Sequence, residues 1–184
     1  GGRRSSRGLS SEMRTAGPRS VVRRTCCISE TGMTVTKLSI LAISSSGGHW
    51  SQMMRLRSAL SSHVVTYATV DPANKDDVPG CDFVVVPDGN INTKIALVGM
   101  AARVFRLVSR LRPDVVITTG AAPGYFTVRF GRCFGARTIW VDSIANAHRL
   151  SISGAAARKY ADVWLTQWPD LETSTGPFYE GNIL

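Results

Sequence analysis

Two short turns in this 184-residue chain combine residue types suited to holding a phosphate. In the first, Ser44-Ser45-Ser46-Gly47-Gly48-His49 follows the apolar, β-rich run of residues 37–43 and opens into a helical pattern. Glycines at a strand-to-helix turn let backbone N–H groups approach an anion, and the new helix directs its positive end at the same point. Ser46, Gly47, Gly48 and His49 are its candidate phosphate contacts. The second turn, Thr119-Gly120-Ala121-Ala122-Pro123-Gly124, follows another β-branched run and offers Gly120 and Ala121. A plain tight connection between strand and helix explains that second turn equally well. Neither turn is the dinucleotide fingerprint: Gly-x-Gly-x-x-Gly fails at Ser51, where the third glycine is needed. Asp71, which falls about where a ribose-binding acid would stand, loses most of its weight for that reason.

His49 and Asp142 are the candidate catalytic groups. A neutral His49 imidazole suits the removal of a proton from an acceptor hydroxyl, or the orientation of a diphosphate. Its competing role is to solvate the first turn of the helix. Asp142-Ser143 closes a strand, the place for ligand contacts in an α/β sheet, and Ser143 is a further candidate acceptor contact. Asp142 reads equally as a sugar-binding or basic carboxylate and as a helix N-cap with Ser143 beside it. His63 begins a strand after a polar break and reads as structural, and His148 sits in a polar loop with Asn146 and Arg149.

The elements that must position these groups alternate. Strands are expected at residues 38–44, 63–69, 82–86, 114–118, 138–141 and 163–167. Helices are expected at 51–60, at 94–111, where Arg112-Pro113 ends the periodicity, and at 125–134, where Gly135 suits a C-cap. This order predicts a single α/β, Rossmann-like domain: a parallel sheet flanked by helices, with the loops 44–49, 119–124 and 142–146 gathered at its carboxyl edge. On the 94–111 helix, at about 100° per residue, Arg103, Arg106 and Arg110 share a narrow sector. Leu97, Ala101, Val104 and Val108 lie opposite. The arginines suit anionic headgroups or acceptor phosphates, at about 1 kcal/mol each near an acidic membrane, or form an ordinary solvated face. Trp140 and Trp164 read as packing, and Trp168, just past a strand, is a candidate subunit contact.

Bulk composition bounds the rest. The formal charge is +9, but residues 1–32 hold seven arginines and two glutamates and supply +5 of it, so the remainder is only mildly basic. Those 32 residues, rich in Gly, Ser and Arg, bury too little to fold and read as a disordered basic tail or as sequence upstream of a start at Met33, with residues 33–184 as the domain. A transit peptide is disfavoured by the lack of an amphipathic helix. Cys26, Cys27, Cys81 and Cys133 show no paired spacing, so neither a disulfide framework nor a metal site is expected, and the reducing cytosol is the expected compartment. No run reaches the roughly 18 apolar residues of a membrane span, so membrane contact is expected to be peripheral. A self-contained nucleotide-binding enzyme remains the rival reading. Nucleic-acid binding is disfavoured, because over half the excess charge lies in the tail and no aromatic-basic stacking motif appears.

Five motifs in order carry a family resemblance: Ser-Ser-Gly-Gly-His at 45–49, Pro-Asp-Val-Val-Ile-Thr-Thr-Gly at 113–120 and Thr-Ile-Trp-Val-Asp-Ser at 138–143. Ala-Asp-Val-Trp-Leu-Thr-Gln-Trp-Pro-Asp-Leu at 161–171 and the closing Tyr-Glu-Gly-Asn-Ile-Leu complete the set. Over residues 33–184 the chain resembles the asparagine-linked glycosylation protein fourteen family and the similar bacterial subunits of capsule and exopolysaccharide glycosyltransferases. The resemblance implies the N-terminal half of a split GT-B glycosyltransferase, needing no cofactor of its own. A separate catalytic subunit, like a GT-B C-terminal half, would hold most of the nucleotide-sugar donor. This half would bind the lipid-linked saccharide acceptor and recruit the partner to the cytosolic face of the membrane. It also implies that Gly47, Gly48 and His49 line the cleft near the acceptor diphosphate, as the similar loop does in the peptidoglycan lipid-intermediate transferase. Eukaryotic members carry an N-terminal membrane helix that this sequence lacks, which points to a bacterial-type member. Asp142 stands where the family pattern leads one to expect glutamate, one methylene longer.

Overall fold

The computed structural model describes Cys27–Ile28 and residues 34–89 and 94–183. Cys27–Ile28 (β1) pairs antiparallel with Thr34–Val35 (β2). The rest of the expected tail, residues 1–26 and 29–32, lies outside the described residues.

From Ser39 onward the chain alternates as the sequence predicts. Ser39–Ile43 (β3) leads into Gly48–Arg55 (α1) and Arg57–Leu60 (α2), followed by Val64–Thr69 (β4) and Asp82–Val85 (β5). Lys94–Leu111 (α3), Val115–Thr118 (β6), Ala121–Cys133 (α4) and Arg137–Val141 (β7) come next, then Ile152–Ala157 (α5), Val163–Thr166 (β8) and Phe178–Tyr179 (β9). The main sheet has seven strands in the order β5-β4-β3-β6-β7-β8-β9, every neighbouring pair parallel. It is one strand larger than the sequence suggested, because β9 is only two residues long and has no hydrophobic run to mark it. The fold is Rossmann-like α/β.

Strand β3 shows why helices cover both faces. Its residues are buried on alternate sides: Leu41 and Ile43 pack with Met100, Val104, Val108, Val116, Val128 and Trp140, whereas Ile40 and Ala42 pack with Trp50, Met53, Tyr67 and Ile117. A strand buried on both faces reads as a continuous apolar run, which is how residues 38–43 appear in sequence. Trp140 and Trp164 are both buried in the first of these cores, as packing.

On the amino side of the sheet Asp162 pins β7 to the start of β8. It accepts from the Thr138 backbone N–H (2.9 Å) and hydroxyl (3.0 Å), and pairs with Arg132 at 2.6 Å. Partial burial works to raise its carboxyl pKa, but the Thr138 hydrogen bonds and the Arg132 guanidinium together outweigh that and hold it below the usual 3.8. A carboxyl whose pKa is depressed by folding stabilises the fold above its unfolded pKa, and the contribution is lost as pH falls through the folded value. The melting-temperature gap between the wild type and Asp162→Asn is therefore expected to be widest near neutrality and to close below about pH 4. A gap that does not change with pH would contradict this role.

Candidate functional site

The chain runs outward from β3 to β4 and β5, then returns to β6 on the other side of β3. The carboxyl ends of β3 and β6 therefore flank a topological switch point, where ligands bind in open α/β sheets. Both glycine turns sit there. Each is shorter than the sequence suggested, because α1 begins at Gly48 and α4 at Ala121, which takes Pro123 into a first turn where its missing N–H costs nothing. Neither helix has a side-chain N-cap or an acidic residue in its first turn. Both thus present uncapped N–H groups and a positive end at one place.

The two turns are joined by a reciprocal pair of hydrogen bonds. His49 Nδ1 lies 2.7 Å from the Thr119 carbonyl oxygen, and the Thr119 hydroxyl donates to the His49 carbonyl, also at 2.7 Å. Gly47 adopts φ +66° and Gly120 φ +121°, and Ala121 follows at φ +64°, a left-handed conformation uncommon for alanine. The Gly120 N–H is bound to the Thr118 hydroxyl at 3.1 Å. Close by in sequence, Ser44 is fully buried, and its hydroxyl is the one buried side-chain polar atom without a hydrogen-bond partner among the described residues. Ser46 is half-buried, while Gly47 and Gly48 are exposed.

Asp142 reaches the same edge of the sheet but is 1% exposed. Its Oδ1 accepts from Trp140 Nε1 (3.2 Å) and the Ser151 hydroxyl (2.7 Å), and its Oδ2 from Asn146 Nδ2 and the Ser151 N–H (both 3.1 Å). Ser151 in turn caps α5 through Gly154 N. With four internal donors on it, this carboxylate organises the 142–151 loop, and the helix it helps to start is α5, capped by Ser151 rather than by Asp142 or Ser143.

Two buried amides that the sequence reading passed over tie this loop to the first turn. Gln52 Nε2 donates to the Gly48 carbonyl (3.0 Å) and to Ser143 Oγ (3.2 Å), while its Oε1 accepts from Ile144 N (3.1 Å) and from Gln167 Nε2. Gln167 Nε2 also donates to the Asp142 carbonyl at 2.8 Å, and its Oε1 accepts from Ile183 N at 2.9 Å. Half-buried Trp168 donates from Nε1 to the Ile144 carbonyl at 2.8 Å. Ser143 is thus a buried strut, 6% exposed, within the network.

The other candidates lie apart. Asp71 spends its carboxylate capping the 3-10 turn Pro72–Asp77 through Ala73 N. Because α3 starts at the carboxyl edge and runs back along the sheet, Arg103, Arg106 and Arg110 line a groove of about 260 Å³ with Val84, Leu107 and Leu111, away from the glycine turns. An apolar cavity of about 440 Å³, not foreseen from sequence, opens beside Ala121 and is lined by Leu97, Ala122, Tyr125, Phe126, Ile152 and Ala156 among others. Ile152 in that lining is 77% exposed, and on α3 Ile95 and Val98 are 87% and 69% exposed. Among the described residues no helix is long and apolar enough to cross a membrane, and no cluster of three potential metal ligands occurs.

No family model matches the chain. It is 27% identical over 163 residues to the UDP-N-acetylglucosamine transferase subunit ALG14 of Yarrowia lipolytica, covering 72% of this chain and 74% of that one. To the protein of the same name from Eremothecium gossypii it is 28% identical over 158 residues, covering 68% and 70%. These relatives support an ALG14-like family. Both are fungal, so the expectation of a bacterial-type member finds no support. Among solved structures, Acinetobacter baumannii MurG superposes with a TM-score of 0.59 at 14% identity over 72% of this chain. The UDP-GlcNAc 2-epimerase of Methanocaldococcus jannaschii superposes with 0.54 at 11% over the same share. The chain spans only 42% of the MurG chain and 39% of the epimerase, and the likeness is one of fold, that of one Rossmann-like half of a GT-B architecture.

Proposed function

We propose that this ALG14-like chain is the acceptor-side subunit of a two-part glycosyltransferase, which moves N-acetylglucosamine from its UDP donor to a lipid-diphosphate-linked saccharide. The observation that carries this reading is the pairing of two uncapped helix N-termini at the switch point, held together through His49 and Thr119. Backbone amides around Ser46, Gly47, Gly48 and Ala121 receive the acceptor diphosphate, while Gly120, its own N–H held by Thr118, shapes the second turn, and the orphan Ser44 hydroxyl lies next to the first. His49 is the group placed to take a proton from the acceptor hydroxyl. Asp142, Ser143, Gln52 and Gln167 position the surrounding loops and do not meet substrate. A single sheet offers one wall of a two-domain cleft, so the donor is bound mainly by a separate catalytic subunit. Trp168, half-buried at the same edge, is assigned to that subunit contact. The relatives' names, each a transferase subunit, support the division of labour.

The acceptor's lipid requires a membrane-side face. Ile95, Val98 and Phe105 on α3, with Ile152, form an exposed apolar surface, and Arg103, Arg106 and Arg110 lie on the same helix. Apolar side chains beside arginines suit peripheral contact with an anionic bilayer, on the cytosolic face in this reading. At about 1 kcal/mol per arginine, the triple variant Arg103→Gln, Arg106→Gln, Arg110→Gln is expected to weaken sedimentation with phosphatidylserine-containing vesicles on the order of 100-fold. Binding to pure phosphatidylcholine vesicles should barely change. Equal loss on both vesicle types, or none on either, would remove the arginine face from the proposal.

A further inference from the structure

We infer that Thr119 is a positioning residue for His49, setting which ring nitrogen meets substrate; the inference rests on the proposed role of His49 at the acceptor site. The Thr119 carbonyl has no proton to give, so the 2.7 Å contact requires His49 Nδ1 to carry one and donate it. A neutral ring held this way keeps its lone pair on Nε2, the nitrogen with no partner among the described residues. A single hydrogen bond would leave the imidazole to pivot about the carbonyl. The Thr119 hydroxyl prevents this by donating back to the His49 carbonyl at 2.7 Å, so side chain and main chain of each residue grip the other. The contact is further confined by Gly120, since a Cβ there would stand 2.9 Å from His49 Cε1. Thr119 is itself fully buried, with its position set by the end of β6. The lock is therefore rigid on the sheet side, and it fixes the ring before any ligand arrives, as a proton acceptor must be fixed to act on a hydroxyl at hydrogen-bond range.

The test compares the full-length wild type with Thr119→Val, which keeps the volume and the carbonyl but not the hydroxyl, and Thr119→Ser, which restores the hydroxyl. Nitrogen-15 spectra of the His49 ring at mildly alkaline pH report the tautomer, and titration with geranylgeranyl diphosphate reports the phosphate site. The wild type and Thr119→Ser are expected to show one tautomer, protonated at Nδ1. Thr119→Val should show a mixture and, because the same hydroxyl holds the two turns together, bind the diphosphate at least about tenfold more weakly. If Thr119→Val does not fold, Thr119→Ala removes the same hydroxyl and is judged by the same criteria. A hydroxyl-free variant that keeps the single Nδ1–H tautomer overturns the inference, as does a serine variant that behaves like valine. If Thr119 controls the tautomer while geranylgeranyl diphosphate leaves every His49 resonance unmoved, the positioning role stands and the acceptor-site reading fails.

Discussion

Gly120→Ala is expected to abolish transfer by the assembled enzyme while leaving a folded, destabilised protein. Two independent costs meet at this residue. Its backbone at φ +121° and ψ −162° lies in a region that only glycine occupies readily, and forcing another residue into it costs about 1–3 kcal/mol. The added methyl would also stand 2.9 Å from His49 Cε1 and 3.1 Å from Nδ1, closer than ordinary packing allows. Relief requires the imidazole to move, which breaks its bond to the Thr119 carbonyl, or the turn to open, which displaces the N-terminus of α4 from that of α1. Either movement dismantles the proposed phosphate site, and misplacement by about 1 Å can cost on the order of 100-fold in rate. Calorimetry combined with a transfer assay separates the two costs. A variant with normal activity would show that the contact between the turns is not needed.

Asp142→Ala should act in the opposite sense, chiefly on stability. Removing the carboxylate strands the buried Trp140 indole N–H and the half-buried Ser151 N–H and hydroxyl and Asn146 amide. At about 1–3 kcal/mol for each buried donor left unmet, a loss of at least about 3 kcal/mol is expected even after partial rescue by water. The 142–151 loop and the start of α5 should lose amide-exchange protection first, since the Ser151 cap depends on this carboxylate. A stable variant with intact loop protection but no activity would instead return Asp142 to the role of catalytic base.

How much of this was legible in the sequence varies element by element. Helix α3 was readable to its end residues, because apolar periodicity ran unbroken over 94–111 and Arg112-Pro113 closed it. The two turns were recognisable from composition, but their meeting was not. It depends on β6 lying beside β3, a matter of strand order that no local pattern encodes. Helix α5 was missed although Ser151 stood ready as a cap, because Gly154 and three alanines blur the apolar stripe that signals a buried face. Gln52 and Gln167 were missed for a deeper reason: a glutamine reads as surface unless its partners are known, and the bonds that tie Gln52 to Ser143 and to Gln167 span 91 and 115 residues. Asp142 illustrates the converse. Its place at a strand's carboxyl end was readable, and its use was not, since three donors from the following loop and the Trp140 indole consume a carboxylate that the position alone would offer to a ligand.

The measurement that bears most directly on the split-enzyme account follows transfer of labelled sugar from UDP-N-acetylglucosamine to a polyprenyl-diphosphate-linked saccharide. The full chain would be assayed alone and as the complex recovered when it is captured from native extract. The account expects a stoichiometric companion resembling a GT-B C-terminal half, robust transfer by the complex, and no transfer by the isolated chain. Transfer by the chain alone at the rate of the complex would contradict it.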